Sequence, residues 1–434
     1  MNSDVWVNGH HLGKHAFGYT SFYYDLSAFI KKGDNIIAVK VDNSIQPNNR
    51  WYSGSGIYRH VWLNIAGPVH IAQWGTYITT PVADSVSATV SVHTLIENEL
   101  PVVKNILLRS VVEDGSGKEI ATIETPFSLT ASGKTDVEQI IKVATPSLWS
   151  IENPSLYSLH SSVIEGKNVE DNLGSPFGIR KIEYDKDNGF FLNGKHVKMN
   201  GVCLHPDAGC LGVAVPMQAW IRRLQLLKEM GCNAIRTAHN PPDPDFLALC
   251  DQMGFLVMDE AFDEWEIAKG QVKYSYHTLF AENSQNDLIS LIHRDRNHPS
   301  LVIWSAGNEV LDQGKDRGVE VLKAINETFH KEDPTRPVTV ANDRIADVEY
   351  PTKPAFLEEE DIVGYNYVDR WLNRRELYYS IDKMAHPGWK MIGTENGAIP
   401  SVRGRYIFAS ANPDTRPRGR SGNYNTSIVA CACN

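Results

Sequence analysis

Two glutamates offer the most chemistry in this chain. Glu309 closes the run Leu301-Val302-Ile303-Trp304-Ser305-Ala306-Gly307-Asn308-Glu309, and Glu395 closes Met391-Ile392-Gly393-Thr394-Glu395. Each stands at the C-terminal end of a short apolar stretch that reads as a buried strand. A single Glu in such a place is most often a cap or half of a surface ion pair. A pair facing one cleft is what glycoside hydrolysis needs: one carboxyl protonates the leaving oxygen, and the other attacks the anomeric carbon or activates water. The attacking carboxylate must stay ionised, and Arg236 is the cation available to it. The donor must hold its proton near neutral pH. Burial beside Trp304 and the like charge of the second Glu are both expected to raise its pKa.

The elements that must position this pair begin near residue 184. Candidate strands at 197–204, 234–237, 256–259, 301–305, 337–340, 362–365 and 391–394 alternate with amphipathic helices such as 217–230, 244–253, 283–294 and 319–331. This alternation predicts a parallel sheet. Seven strands and the lack of a Gly-rich phosphate loop favour a (β/α)8 barrel over an open sheet. In a barrel the C-terminal strand ends converge on one face. That face would gather His205 and Asp207, Arg236 with His239 and Asn240, Asn308 with Glu309, Asn366 with Tyr367, and Glu395 with Asn396. For His205 and His239 the plainer alternative is a hydrogen-bonded structural histidine; for Arg236 it is a buried ion pair, and for Tyr367 core packing. The acidic run Asp259, Glu260, Asp263, Glu264 and Glu266 has oxygens for a divalent cation, but a solvated loop is the simpler reading.

The chain upstream is all-β in pattern. Val5-Trp6-Val7 meets the turn Asn8-Gly9, residues 35–41 and 60–63 read as strands, and Ser53-Gly54-Ser55-Gly56 is a loop with no helix after it. From about 69 to 180 a second β unit of immunoglobulin-like length holds the alternating strand 86–92 and the hairpin turn Asp114-Gly115-Ser116-Gly117. It contains no catalytic constellation. Acids and bases are interspersed along 434 residues of net charge −10, without a basic stripe, which argues against nucleic acid as a partner. No apolar run approaches the length of a membrane span. The six cysteines have neither zinc-site spacing nor disulfide density. The first residues carry no basic or apolar leader and already read as a strand, so the chain is expected to begin inside a domain.

Several stretches resemble glycoside hydrolase family 2. Trp304-Ser305-Ala306-Gly307-Asn308-Glu309 is similar to its acid/base signature. Arg50-Trp51-Tyr52-Ser53-Gly54-Ser55-Gly56-Ile57-Tyr58-Arg59 resembles the end of its jelly-roll sugar-binding domain. Gly201-Val202-Cys203-Leu204-His205, then 233–242, then Leu256-Val257-Met258-Asp259-Glu260 resemble its first three barrel strands. Within the family the likeness is to bacterial β-galactosidases. The resemblance implies part of a jelly-roll β-sandwich over 1–68, an immunoglobulin-like β-sandwich over 69–180, and a TIM barrel over 181–434 that lacks its last strand. It implies a fragment truncated at both ends, because the first jelly-roll strands and the aromatic-rich eighth barrel strand are not found. It also implies a retaining exo-glycosidase acting on terminal β-D-galactosyl residues, with β-glucuronidase, β-mannosidase or an inactive carbohydrate-binding fragment as the alternatives. Glu309 would be the acid/base and Glu395 the nucleophile. Asn308 would hold the sugar 2-hydroxyl, Tyr367 and Arg236 the nucleophile, and His239 and His205 the sugar. No cofactor is required, although some relatives hold Mg2+ near the acid/base. Partners are β-galactoside oligosaccharides or glycoconjugates; self-association as a homo-oligomer stays open, as does the compartment, bacterial periplasm or cytoplasm.

Overall fold

The structure is a computed structural model that describes residues 1–51, 54–368, 374 and 377–396, and the backbone of 428–430. Tyr52 and Ser53 of the Arg50–Arg59 stretch, and the tail beyond Arg403 apart from 428–430, lie outside the described residues.

The first unit is a three-stranded antiparallel sheet with Ser3–Val7 between His10–His15 and Ile37–Val41. Alternation decides its faces: Val5 and Val7 are buried, and Asp4 and Trp6 are less so. Asn8 and Gly9 join the first two strands with φ of 48° and 86°. A two-residue type I′ turn requires positive φ at both positions, which Asn and Gly tolerate. The expected strand at 60–63 forms no ladder among the described residues. Val61 and Trp62 are 74% and 77% exposed. An apolar run becomes a strand only where a neighbour accepts its backbone hydrogen bonds.

The second unit packs a sheet of Val69–Ala83, Ser87–Asn98 and Lys134–Ala144 on a sheet of Lys104–Glu113, Glu119–Leu129, Tyr157–Glu165 and Asn168–Phe177. Alternate residues such as Val90, Val92, Val112, Ile141 and Leu159 fill the space between them. This is the immunoglobulin-like sandwich. Its Tyr77 hydroxyl donates to Asp333 Oδ1 at 2.8 Å, and Trp149 Nε1 donates to the Asp251 carbonyl at 2.9 Å, which fixes the sandwich to the barrel.

The barrel strands are β1 (Asn200–Leu204), β2 (Ala234–Thr237), β3 (Leu256–Glu260), β4 (Leu301–Asn308), β5 (Val338–Asn342), β6 (Val363–Asn366) and β7 (Met391–Glu395), all parallel. A short strand β8 (Ile428–Ala430) pairs with β1 antiparallel, giving the order β7-β6-β5-β4-β3-β2-β1-β8. A (β/α)8 barrel needs eight parallel strands, and an eighth parallel strand is absent among the described residues. Helices α1 (Met217–Glu229), α2 (Pro244–Met253), α3 (Phe280–Asp295), α4 (Asp316–Glu332), α5 (Pro354–Leu357) and α6 (Tyr378–Ala385) follow the strands. Helix α2 shows why its sequence folds so. The Asp243 side chain caps the Asp245 amide, Pro244 opens the first turn, and Gly254 ends the helix with φ of 68°.

Every residue of β4 is buried, so its two faces cannot be told apart by polarity. Trp304 lies on the outer one. Its ring packs 5.3 Å from that of Phe329 on α4, and its Nε1 donates to Asp333 Oδ2 at 2.9 Å. The expectation that Trp304 shields the Glu309 carboxyl is therefore corrected: the ring serves the seam between strand and helix.

Strand β6 fits so closely between its neighbours that Gly364 has no room for a side chain. An added Cβ would lie 2.1 Å from the Val340 carbonyl oxygen, a backbone atom, and 2.7 Å from Thr339 Oγ1. Gly364→Ala is expected to destabilise the protein by about 3 kcal/mol, measured as a lower midpoint of urea unfolding; an unchanged midpoint would show that β5 and β6 can part freely.

Candidate active site

The C-terminal ends of β2, β3, β4, β6 and β7 bring one connected set of polar side chains together. Arg236 on β2 is buried at its centre. Its Nε donates to Glu260 Oε2 at 2.9 Å, and Nη2 donates to Glu260 Oε2 and Oε1 at 2.6 and 2.9 Å. Nη2 also reaches Asn308 Oδ1 at 2.8 Å, and Nη1 reaches Glu395 Oε2 at 3.2 Å. The main partner of Arg236 is thus Glu260, at the end of β3, and Glu395 is the second. Ser305 Oγ adds a bond to Glu260 Oε2 at 2.7 Å. Burial raises the Glu260 carboxyl above its ordinary value, and Arg236 and Ser305 pull it back. Burial would strip the Arg236 charge, but Glu260 and Glu395 hold it.

Tyr367 connects the two glutamates singled out by the sequence. Its hydroxyl donates to Glu395 Oε1 at 2.8 Å, and burial together with the charges of Glu309 and Glu395 raises its pKa. The neighbouring Asn366 amide donates to Glu309 Oε1 at 3.1 Å and accepts from Thr394 Oγ1 at 2.6 Å. Glu309 and Tyr367 both have left-handed backbone, with φ of 43° and 56°. Such conformations cost a non-glycine residue about 1–3 kcal/mol and concentrate at functional sites. They turn both side chains off the ends of their strands toward one another.

The acidic run after β3 is not a solvated loop. Asp259, Glu260, Asp263 and Glu264 are all buried. Strand alternation sends Asp259 outward toward Asp295 and Arg294 of α3, while Glu260 faces Arg236. Asp263 is covered by Arg50 and Trp51 of the N-terminal sandwich. Arg50 Nε and Nη2 donate to Asp263 Oδ2 and Oδ1 at 3.0 and 2.8 Å, and Trp51 Nε1 donates to Oδ2 at 3.0 Å. Lys269 Nζ and Asn308 Nδ2 each add a bond to Oδ1 at 3.0 Å. Burial disfavours the Asp263 charge, but Lys269 and Arg50 outweigh it and hold the carboxyl well below its ordinary range.

The same cations correct the expectation for Glu309. Burial acts to raise its pKa, but Lys269, the Asn366 amide and Arg50 set it below the ordinary value, so the free site favours the ionised form. His205 and His239 lie against Trp51, with ring centroids 4.2 and 4.9 Å from the indole, and meet edge to face at 4.9 Å. His239 Nδ1 lies 2.9 Å from Glu260 Oε1, which assigns it the ring hydrogen and leaves Nε2 as acceptor. Burial and Arg236 hold the His239 pKa well below its ordinary value, and burial lowers that of His205.

All seven residues named from the sequence belong to this neighbourhood: Glu309, Glu395, Asn308, Arg236, His239, Tyr367 and His205. Asn366, expected beside Tyr367 on the same face, joins them as the Glu309 partner, Lys269, Arg50 and Trp51 are added, and Glu260 and Asp263 move from a surface loop to the centre. Asn366 is legible from its place beside Tyr367 at a strand end; Lys269, nine residues beyond β3, carries no such signal. The donor set does not fit a divalent ion beside Glu309. Both Asp263 oxygens are taken by N–H donors, Glu264 accepts the Lys269 and His277 amides at 3.3 Å, and Glu266 pairs with Arg317 at 2.8 Å. Among the described residues no group of three His, Cys, Asp or Glu side chains could hold a metal.

Three family models match the chain: "Glycosyl hydrolases family 2, sugar binding domain" over residues 1–66, "Glycosyl hydrolases family 2" over 69–180, and "Glycosyl hydrolases family 2, TIM barrel domain" over 184–387. The last stretch includes Glu309 and ends before Glu395. A β-galactosidase of Bacteroides ovatus is 38% identical across 100% of this chain and 53% of its own length. A putative β-glucuronidase of Formosa agariphila is 42% identical across 71% of this chain and 29% of its own length. The crystal structure of a glycosyl hydrolase family 2 member from Bacteroides cellulosilyticus superposes with a TM-score of 0.86 at 39% identity, covering 91% of this chain and 49% of that one. The chain therefore spans about half the length of the Bacteroides ovatus relative, and less of the Formosa agariphila one.

The lowered His239 pKa has a stability consequence of definite sign. The unfolded chain binds a proton at this histidine as pH falls below about 6.5, and the folded chain does not. Unfolding is therefore favoured progressively below that pH. Ring 15N shifts of His239 are expected to remain those of a neutral imidazole at pH 5; an imidazolium signal there would contradict the site's electrostatics.

Proposed function

The chain belongs to glycoside hydrolase family 2, and from that footing we propose that it carries the reacting centre of a retaining exo-β-glycosidase whose substrates are terminal β-D-galactosyl residues of oligosaccharides or glycoconjugates. The observation that carries this reading is the pair Glu309 and Glu395, linked through Tyr367 at the C-terminal end of the barrel, with Arg236 on one of them.

In the proposed reaction Glu395 attacks the anomeric carbon while Glu309 gives its proton to the departing glycosidic oxygen. The Glu395–C1 ester that results is hydrolysed by a water from which Glu309 removes the proton, so the anomeric configuration is retained. Arg236 Nη1 and Tyr367 Oη each donate to one oxygen of Glu395 and aim the carboxylate. The charge of Glu395 favours a proton on Glu309 before attack. That charge is outweighed in the free site, where the surrounding cations already favour ionised Glu309, so the proton for the first step is taken up with the substrate; the ester then removes the Glu395 charge and leaves Glu309 as the base that the second half-reaction needs. Asn308 uses Oδ1 toward Arg236 and one amide hydrogen toward Asp263, leaving the other hydrogen for the sugar 2-hydroxyl, a contact that strengthens as the oxocarbenium-like transition state forms. His239 and His205, backed by Trp51, are assigned to the sugar hydroxyls.

The 38% identity to a named β-galactosidase over the whole chain supports the galactoside. The relative named a putative β-glucuronidase supports a uronic acid in its place. Nitrophenyl β-D-galactoside, β-D-glucuronide and β-D-mannoside presented in parallel decide the sugar: fastest turnover of the galactoside is expected, preference for either of the others replaces it, and binding without turnover of any sugar overturns the enzymatic reading.

Glu309→Gln and Glu395→Gln are each expected to lower kcat/KM on the best aryl glycoside by about 10²–10⁴-fold, and normal turnover in either variant would remove that residue from its role. Azide added to Glu395→Gly should yield the glycosyl azide of inverted configuration, identified by NMR; a retained product would reassign the nucleophile.

A further inference from the structure

Glu309 is faced by charged or polar groups from every element around it. These are Lys269 from the β3–α3 loop, His239 beyond β2, Asn366 and Tyr367 from β6, Glu395 from β7, and Arg50 from the N-terminal sandwich. Among the cations only Lys269 also grips the backbone that carries Glu309. Its ammonium donates to the Asn308 carbonyl, the peptide oxygen directly before Glu309, and to Asp263 Oδ1 at 3.0 Å. The peptide nitrogen of Glu309 bonds to the Ala341 carbonyl at 2.8 Å. The peptide at the left-handed turn is thus held from both sides, by β5 through its nitrogen and by Lys269 through its oxygen. The side chain of Lys269 is 5% exposed, and a buried ammonium persists only where carboxylates compensate it. Asp263 supplies that compensation and is shared with Arg50 and Trp51.

We propose that Lys269 is the resident cation of the active site, a positioning residue that fixes the Asn308–Glu309 peptide and holds its positive charge at that peptide, in the place where a divalent ion would otherwise act. The exhausted donor set supports this. Asp263 has no oxygen left for a metal, and Glu264 and Glu266 are turned to other partners. A fixed ammonium also suits a residue that must give up and regain a proton in each cycle, because its charge does not depend on a dissociable ion. The consequence for catalysis rests on the acid/base reading of Glu309; the electrostatic relation between the two side chains does not.

The test is a direct titration of Glu309, which needs no turnover. The chain is labelled with 13C at the glutamate δ-carbon, and the Glu309 signal is the one lost in Glu309→Gln. Lys269→Met should raise its midpoint by about one pH unit or more, the range for loss of a neighbouring opposite charge. Lys269→Arg should leave it near the native value, and Asp263→Asn, which frees the ammonium from its counter-charge, should lower it. Magnesium chloride alone should leave the native midpoint unmoved. An unchanged midpoint in Lys269→Met, an upward shift in Asp263→Asn, or a Mg2+-dependent fall in the native chain overturns the proposal. The opposed signs of the two charge-removing variants separate an electrostatic role from general loosening of the fold. A chain that shows both shifts and cleaves no glycoside would refute the glycosidase reading alone.

Discussion

A guanidinium buried in a barrel has to be met by carboxylates, and the upper half of this protein is built around that need. Taking Arg236 and Glu260 out of water costs several kcal/mol for each ion, and their attraction repays it only where the geometry is good and the remaining polar atoms are satisfied. Arg236 makes three close bonds to Glu260 and reaches Asn308 and Glu395 with what is left. Glu260 uses Ser305 and His239. One ion pair thereby ties together β2, β3, β4 and β7, and it holds Glu395 in an orientation that its own strand end could not enforce.

A second buried carboxylate extends the network across a domain boundary. Asp263 collects donors from the N-terminal sandwich, from its own loop and from β4. The charges run Arg50, Asp263, Lys269, Glu309 on one side and Glu260, Arg236, Glu395 on the other, each sign next to its opposite. In such a chain the removal of any member exposes its neighbours, so single substitutions should be far from additive.

What could be read from the sequence was what is local. A carboxylate after a buried run marks the end of a barrel strand, which made Glu309 and Glu395 legible, and with them Arg236 and Tyr367. The barrel itself could be read from its alternation of strands and helices. What could not be read depends on contacts across the chain. Arg50 meets Asp263 over a separation of 213 residues, and no periodicity announces that. The acidic run after β3 looked solvated because its compensating cations are distant or lie in an irregular loop. Trp304 was misplaced because a strand buried on both faces gives no polarity by which to orient its side chains. The pKa of Glu309 followed the same error, since burial was counted and Lys269 was not.

Asn366 has one more effect. The ionised Glu309 carboxylate can only accept, so the Asn366 amide nitrogen faces one of its oxygens while the Asn366 carbonyl accepts from the Thr394 hydroxyl. An oxygen that accepts this bond is the poorer place for a proton. When Glu309 is protonated, the hydrogen therefore sits on the other oxygen, and the acid becomes handed: it can offer its proton along one direction only. The side on which Glu309 can share a proton is thus chosen by an amide two strands away.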